Sequence, residues 1–273
     1  MKRSLPVQGI EALLRVLWNY RYFIFSSIKN DFRARFVRSK LGGLWMIINP
    51  LAQVLIFALI LSEVLAARLP GIDNKYAYAL YLMAGMAGWT LFAETISRCL
   101  TLFIESGNLM KKMAFPRLCL PLVAAGSVLV NNVLLIAAIF VVFAALGHYP
   151  DASVVWLPVL VGLTLLLGMS LGLILGVLNV FMRDIGQVVP VVLQALFWLT
   201  PVVYSLSILP ERYQAWFRLN PMYPLITSYQ NVLVFGNAPL WSELFLLLLG
   251  ASGLSALALL IFRRASPEMV DVL

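Results

Sequence analysis

Six stretches of this 273-residue chain are long and apolar enough to cross a bilayer: about 44–65, 77–97, 119–146, 154–178, 188–207 and 240–262. A spanning helix needs roughly 20 mostly apolar residues. Once lipid surrounds it, every backbone N–H and C=O must find its partner inside the protein. That requirement predicts an all-α polytopic membrane protein with six transmembrane helices. The third stretch is long enough to tilt. Composition agrees: the chain is 62% hydrophobic and 12% charged, with a mean hydropathy of +0.93. Soluble domains sit nearer half apolar, with about a quarter of residues charged. Residues 1–273 read as a single membrane domain, its six-helix region over 44–262, with no soluble domain attached.

An even number of spans puts both termini on one side, and Lys and Arg mark which side is cytoplasmic. Nine of the cations fall within the first 43 residues. Arg98, Lys111, Lys112 and Arg117 follow the second span, and Arg183, Arg263 and Arg264 lie on the same side. Only Arg68, Lys75, Arg212 and Arg218 fall opposite. Both termini are therefore expected in the cytoplasm. This topology accounts for the net charge of +8 without a nucleic-acid partner. Cys99 and Cys119 then lie near the reducing face, where a disulfide is not expected. The basic start MKRSLPVQG leads into a stretch interrupted by Glu11, Arg15 and Arg21, so no cleavable signal peptide is expected.

Two segments are apolar without being spans. Over 8–32, apolar residues recur at 10, 13, 14, 17, 18, 25, 28 and 32, with Arg15, Arg21 and Lys29 between them. That pattern predicts an amphipathic helix lying in the headgroup plane. Over 208–239, Trp216, Phe217, Tyr223, Tyr229 and Phe235 are mixed with polar residues and prolines. Such a segment predicts short re-entrant helices on the periplasmic side, buried against protein and broken at Asn220-Pro221 and Tyr223-Pro224.

Several chemistries are excluded. One histidine, His148, rules out a zinc-protease motif, and no CxxC pair exists. Glycine is never followed by lysine, so the phosphate-binding GxxxxGK[ST] loop is missing. No enzymatic activity, metal or resident cofactor is expected of this chain. A membrane enzyme acting on polyprenyl phosphates, the rival class, would cluster acidic residues at the cytoplasmic face for metal and base work. Asp31, Glu105 and Asp184 are scattered instead.

Other constellations suit binding. At 100° per residue, Tyr78, Tyr81, Gly85, Trp89 and Phe92 share an arc of about 80° on the second span. Glu94 and Arg98, on the opposite face, are spaced as an i,i+4 ion pair. On the fifth span Gln194, Phe197, Trp198, Pro201 and Ser205 share a face. Aromatic rings beside amides and hydroxyls suit sugars, whose C–H faces stack and whose hydroxyls need partners. The same faces also suit helix packing. Asn131 and Asn132, in the middle of the third span, need partners in lipid, most simply on a neighbouring helix. Glu63 and Glu94 lie at opposite ends of their spans, which does not suggest an ion relay. Just before the first span, RARFVRSKLGGLW brings Arg33, Arg35, Arg38 and Lys40 up to Gly42 and Gly43. Arginine binds phosphate oxygens in pairs, and glycine lets a backbone or ligand come close. The same charges also serve topology and attract anionic lipid.

The order of these parts is specific. A basic amphipathic helix precedes SKLGGLW and Asn49-Pro50, LMKKMAFPR fills the first cytoplasmic loop, and an NP-containing re-entrant segment precedes the last span. The whole chain resembles the type-2 ABC exporter permeases for polysaccharides. Within them it is similar to the transmembrane (Wzm-type) subunit of O-antigen exporters. The resemblance implies a homodimeric pore, two copies of a separate cytoplasmic ATPase that holds ATP and Mg, and export across the bacterial inner membrane to the periplasm. Its cargo would be a glycan on undecaprenyl diphosphate, with the diphosphate near Arg33, Arg35, Arg38, Lys40, Gly42 and Gly43. The glycan path would be lined by Tyr78, Tyr81, Trp89, Phe92, Gln194, Phe197, Trp198 and Ser205. Asn108, Lys111, Lys112, Met113, Phe115 and Pro116 match the helix that docks the ATPase. Trp216, Phe217, Asn220, Pro221 and Tyr223 match the periplasmic gate. Exporters of capsular polysaccharide, teichoic acid or drugs share this architecture.

Overall fold

The computed structural model describes residues 18–37, 41–64, 77–112, 116–206 and 210–272. All regular structure among them is helical. In chain order the helices are α1 (Arg21–Val37), α2 (Trp45–Val64), α3 (Ala77–Glu105), α4 (Gly107–Lys112), α5 (Cys119–Ala145) and α6 (Leu157–Phe181). Then come α7 (Ile185–Leu199), α8 (Glu211–Arg218), α9 (Met222–Gln230) and α10 (Trp241–Val272). Short 3-10 turns precede α2 and α6, and a π-helical turn, Asn231–Phe235, extends α9. Four helices among the described residues are long and apolar enough to cross a membrane: α3, α5, α6 with its preceding turn, and α10. The remaining two apolar stretches form α2, of 20 residues, and α7, of 15.

The bundle is built around α3, which packs most extensively on α6 and also on α5, α9 and α2. Close approach of α3 and α6 rests on a row of small residues. A Cβ added at Gly172 would stand 2.7 Å from the Cys99 Cβ, and one at Gly176 would stand 2.2 Å from the Cys99 carbonyl oxygen. Without side chains there, the two backbones meet and gain dispersion contacts that lipid could not supply. Farther along, Tyr229, Phe92, Leu160, Met222 and Leu225 form the fully buried centre, so α9 is core rather than surface.

Several boundaries differ from the sequence expectation, for local reasons. α7 stops at Leu199 rather than continuing to 207, because Thr200 is extended (φ −106°, ψ 134°) ahead of Pro201. Asn220-Pro221 does separate α8 from α9, but Tyr223-Pro224 breaks nothing. Pro224 occupies the first turn of α9, where the backbone N–H has no intrahelical partner to lose. α3 runs past the expected 97 to Glu105, which sets Glu94 eleven residues before the end of the helix.

Of the stretch 8–32 expected as an amphipathic helix, residues 8–17 lie outside the described residues, and the rest leads into α1, which reaches Val37 and packs on α5. Its apolar residues divide between two faces: Ile28 and Phe32 are half-buried against the bundle, while Trp18, Tyr22 and Phe25 are exposed. The Arg21 guanidinium lies over both the Trp18 and Tyr22 rings, at 4.8 and 4.5 Å. The salt bridge of Arg98 runs to Asp31 of α1 at 3.2 Å rather than to Glu94.

Candidate functional site

A cavity of about 600 Å³ opens between α2, α3, α5 and α7. From α2 it takes Trp45, Asn49, Pro50 and Gln53, and from α7 Pro190, Leu193, Gln194 and Phe197. Its deeper wall is α3, with Trp89, Thr90, Glu94 and Ser97, and α5, with Asn131 and Asn132. Asn49, Gln53 and Gln194 are exposed side chains on otherwise apolar helices, so the cavity is polar along its open side. Glu94 stands roughly 16 Å from the Glu105 end of its helix at 1.5 Å per residue.

Hydrogen bonds fix the deep wall. The Asn131 Nδ2 donates to Glu94 Oε1 at 2.6 Å, and the Asn132 Nδ2 donates to the Ala87 carbonyl at 3.0 Å. Both asparagines thus bridge α5 to α3, as amides in lipid must find partners. They also face the cavity. Trp89 sets its ring edge against Phe197, with centroids 5.4 Å apart, and leans on Phe92 at 5.8 Å. Such edge-to-face pairs hold ring orientation.

The expected glycan-lining residues separate into three groups. Trp89, Phe197 and Gln194 line the cavity. Tyr78, Tyr81 and Phe92 are buried in the core. The two phenols donate to the carbonyls of Val203 and Tyr204, holding the extended segment after α7 against α3. Trp198, 53% exposed, lies outside the cavity lining, and Ser205 is half-buried beyond the end of α7. Sequence periodicity missed Asn49, Gln53, Glu94 and the asparagine pair as wall residues. The signal available was their polarity inside apolar helices.

Of the cationic cluster, Arg33 is exposed on the outer face of α1, Arg35 follows on the same helix, and Gly42 and Gly43 form the 3-10 turn into α2. Arg38 and Lys40 lie outside the described residues. In α4, Asn108 and Lys111 are exposed while Met110 is buried in a cluster with Phe262 and Met269 of α10. Lys112 ends that helix and Pro116 is half-buried beyond it, while Met113 and Phe115 lie outside the described residues. Arg117 donates to the Ser266 hydroxyl at 2.8 Å, tying the residues just before α5 to the extension of α10.

In the segment expected at the gate, Asn220 has a structural role. Its Nδ2 donates to the Thr200 hydroxyl at 2.8 Å and its Oδ1 accepts from the Met222 N–H at 2.9 Å, tying the end of α7 to the start of α9. Phe217 sets an edge against Tyr204 at 6.2 Å. Tyr223 is half-buried, while Trp216 and Pro221 are exposed.

The family profile described as ABC-2 type transporter matches residues 22–234. The chain is 30% identical, over 222 residues, to an O-antigen export system permease protein, RfbA, from Myxococcus xanthus, covering 81% of this chain and 83% of that protein. A Klebsiella pneumoniae protein of the same name is 28% identical over 210 residues, 76% of this chain and 78% of its own. The Escherichia coli polysialic acid transport protein KpsM is 22% identical over 207 residues, 76% and 79% of the two chains.

Proposed function

The chain belongs to the ABC-2 type transporter family, and from that premise we propose that it is the permease subunit of an ATP-driven exporter of a lipid-linked, O-antigen-type polysaccharide. The observation that carries this reading is the cavity among four apolar helices, lined by the Trp89 and Phe197 rings together with Asn49, Gln53, Gln194, Asn131, Asn132 and Glu94. Aromatic faces and amides together suit sugar rings, and nothing in a purely lipid-facing helix needs Asn49, Gln53 and Gln194 exposed. Relatives named for O-antigen export are 27–30% identical, against 21–22% for those named for polysialic acid, which favours the O-antigen class over capsule.

In this reading α2, α3, α5, α6, α7 and α10 are the six spans of an inner-membrane protein with both termini cytoplasmic. Two copies face each other across the polar sides of α2 and α7. Helix α1 lies in the headgroup plane with Trp18, Tyr22 and Phe25 in lipid, and the cations from Arg33 onward meet the lipid diphosphate. The turn through α4 docks a separate ATPase, and α8 and α9 re-enter from the periplasmic side. ATP hydrolysis belongs to the partner, whose cycle drives small shifts of packed helices.

The test is reconstitution with the partner ATPase in liposomes. ATP-dependent movement of a lipid-linked glycan to the far leaflet is expected. Glycosyl or phosphosugar transfer by the purified chain alone would assign it to the enzyme class instead.

A further inference from the structure

Resting on the export reading above, in which the turn through α4 docks the ATPase, we infer that the end of α10 is the seat that aims α4 at that partner, with Arg117 and Met269 as positioning residues for coupling. α4 has only six residues, too few to hold a helix without outside support. Among the described residues it packs mainly on α3, to which it is joined, and on α10. Met110 is the large apolar residue it buries, whereas Asn108 and Lys111 are exposed. What fixes α4 is therefore the cluster that receives Met110. That cluster is distinct from the core around Tyr229 and gathers Met110, Phe103 of α3, Val177 and Val180 of α6, and Phe262 and Met269 of α10.

α10 is 32 residues long, whereas roughly 20 residues cross a bilayer. Its apolar run closes at Phe262, and the sequence continues as RRASPEMV. Phe262, Ser266 and Met269 are spaced i, i+4, i+7, so they share one helix face. Each meets a different part of the connection from α3 to α5. The Phe262 ring stacks on Phe103, near the end of α3, with centroids 5.4 Å apart. The Ser266 hydroxyl accepts from Arg117, just before α5, at 2.8 Å. Met269, fully buried, lies in the cluster that holds Met110. Arg263, Arg264 and Glu268 lie on the other faces and are exposed. A stripe of this kind has no part in crossing lipid. It presents α4 to the ATPase in one orientation. Without it α4 must be ordered at every encounter, and movement of the ATPase is taken up by the loop instead of reaching α3.

The experiment uses liposomes holding the permease and its ATPase and reads lipid-linked glycan moved per ATP hydrolysed. Met269→Ala should lower that ratio at least about fivefold, and Met269→Leu should restore it. Leu244→Ala leaves a similar hole in the same helix, but in the main core. It should lower the thermal midpoint as much as Met269→Ala does and keep the ratio within about twofold of wild type. An equal loss of the ratio in both alanine variants, or no loss in Met269→Ala, overturns the inference. Should Met269→Ala fail to accumulate, the half-buried Arg117 decides. A fall of about threefold in Arg117→Gln with recovery in Arg117→Lys supports the seat, and a wild-type ratio in Arg117→Gln overturns it. A further measurement needs no ATPase. Asn108→Cys can be spin-labelled selectively, since Cys99 and Cys119 are buried. The label should be held in the otherwise wild-type chain, freed by Met269→Ala and unaffected by Leu244→Ala. A label that Met269→Ala does not free overturns the seat and leaves the export reading standing. A freed label in a chain whose wild type moves no glycan overturns the export reading and the coupling role with it.

Discussion

The contact between Asn131 and Glu94 is short, part-buried and between two apolar helices, and it joins an amide to a carboxylate. Removing the amide leaves a partly buried carboxylate oxygen with one donor fewer. Asn131→Leu, of similar volume, should therefore cost about 2 kcal/mol. Ser127 provides the contrast: its hydroxyl is buried with no partner among the described residues, and Ser127→Ala should lie within about 0.5 kcal/mol of wild type. Unfolding in mixed detergent, followed by circular dichroism, measures both. Similar losses in the two variants would show that the bond contributes nothing specific. The periodicity of aromatic and amide positions put Trp89 on one helix face and Phe197 with Gln194 on another, and the fold brings the three to one cavity. It also grouped Tyr78, Tyr81 and Phe92 with Trp89, because angle around a helix says which residues share a face but not what faces them. The true divider is α9: it fills one end of that stripe with Tyr229 and leaves the other open. Glu94 could not be read at all, since its most evident partner on the helix was Arg98, and both side chains turned to other helices.

At the scale of elements, every apolar stretch became a helix, since length and composition alone decide that a segment in lipid closes its own hydrogen bonds. Ends were harder to read. They depend on single residues such as Pro201 and on where a helix outruns its apolar run, as α3 and α10 do. The spacing of Gly168, Gly172 and Gly176 signals a close helix contact, but only the fold says with which helix. That contact is the tightest seam of the bundle. A Cβ at Gly176 would overlap the Cys99 carbonyl, a backbone atom that cannot rotate away, whereas one at Gly162, in the same helix, meets nothing within 4 Å. Gly176→Leu should push α6 off α3 and cost more than about 3 kcal/mol. Gly162→Ala should be neutral or slightly stabilising, as glycine in a helix interior costs roughly 0.5–1 kcal/mol relative to alanine. Membrane yield and thermal midpoint of the purified variants separate the two. A Gly176→Leu protein as abundant and as stable as Gly162→Ala would mean that the seam is looser than its geometry.

For the whole molecule, one ion pair joins the two regions that the export reading assigns to cargo and to ATPase. Asp31 lies two residues before Arg33 on α1, and Arg98 lies one and a half to two turns before Glu105, after which α4 begins. The pair is one-third exposed on each side, so it contributes about 1 kcal/mol at most to stability and is dispensable for folding. It matters as a link: α1 otherwise meets the bundle mainly through α5, and α5 is not the helix that leads into α4. A shift of 1 kcal/mol in the coupling between the docked and undocked positions of α1 changes their ratio about fivefold. Arg98→Gln and Asp31→Asn should therefore each assemble with the ATPase normally, hydrolyse ATP at the basal rate, and lose most of the stimulation by lipid-linked glycan. Exchanging the charges, Asp31→Arg with Arg98→Asp, should restore at least half of it, because the geometry of the two helices is kept while the attraction is rebuilt. Rescue distinguishes a link between α1 and α3 from two separate roles: if the exchanged pair is no better than either single variant, Asp31 and Arg98 act independently and the connection runs through the apolar packing of α1 on α5 instead.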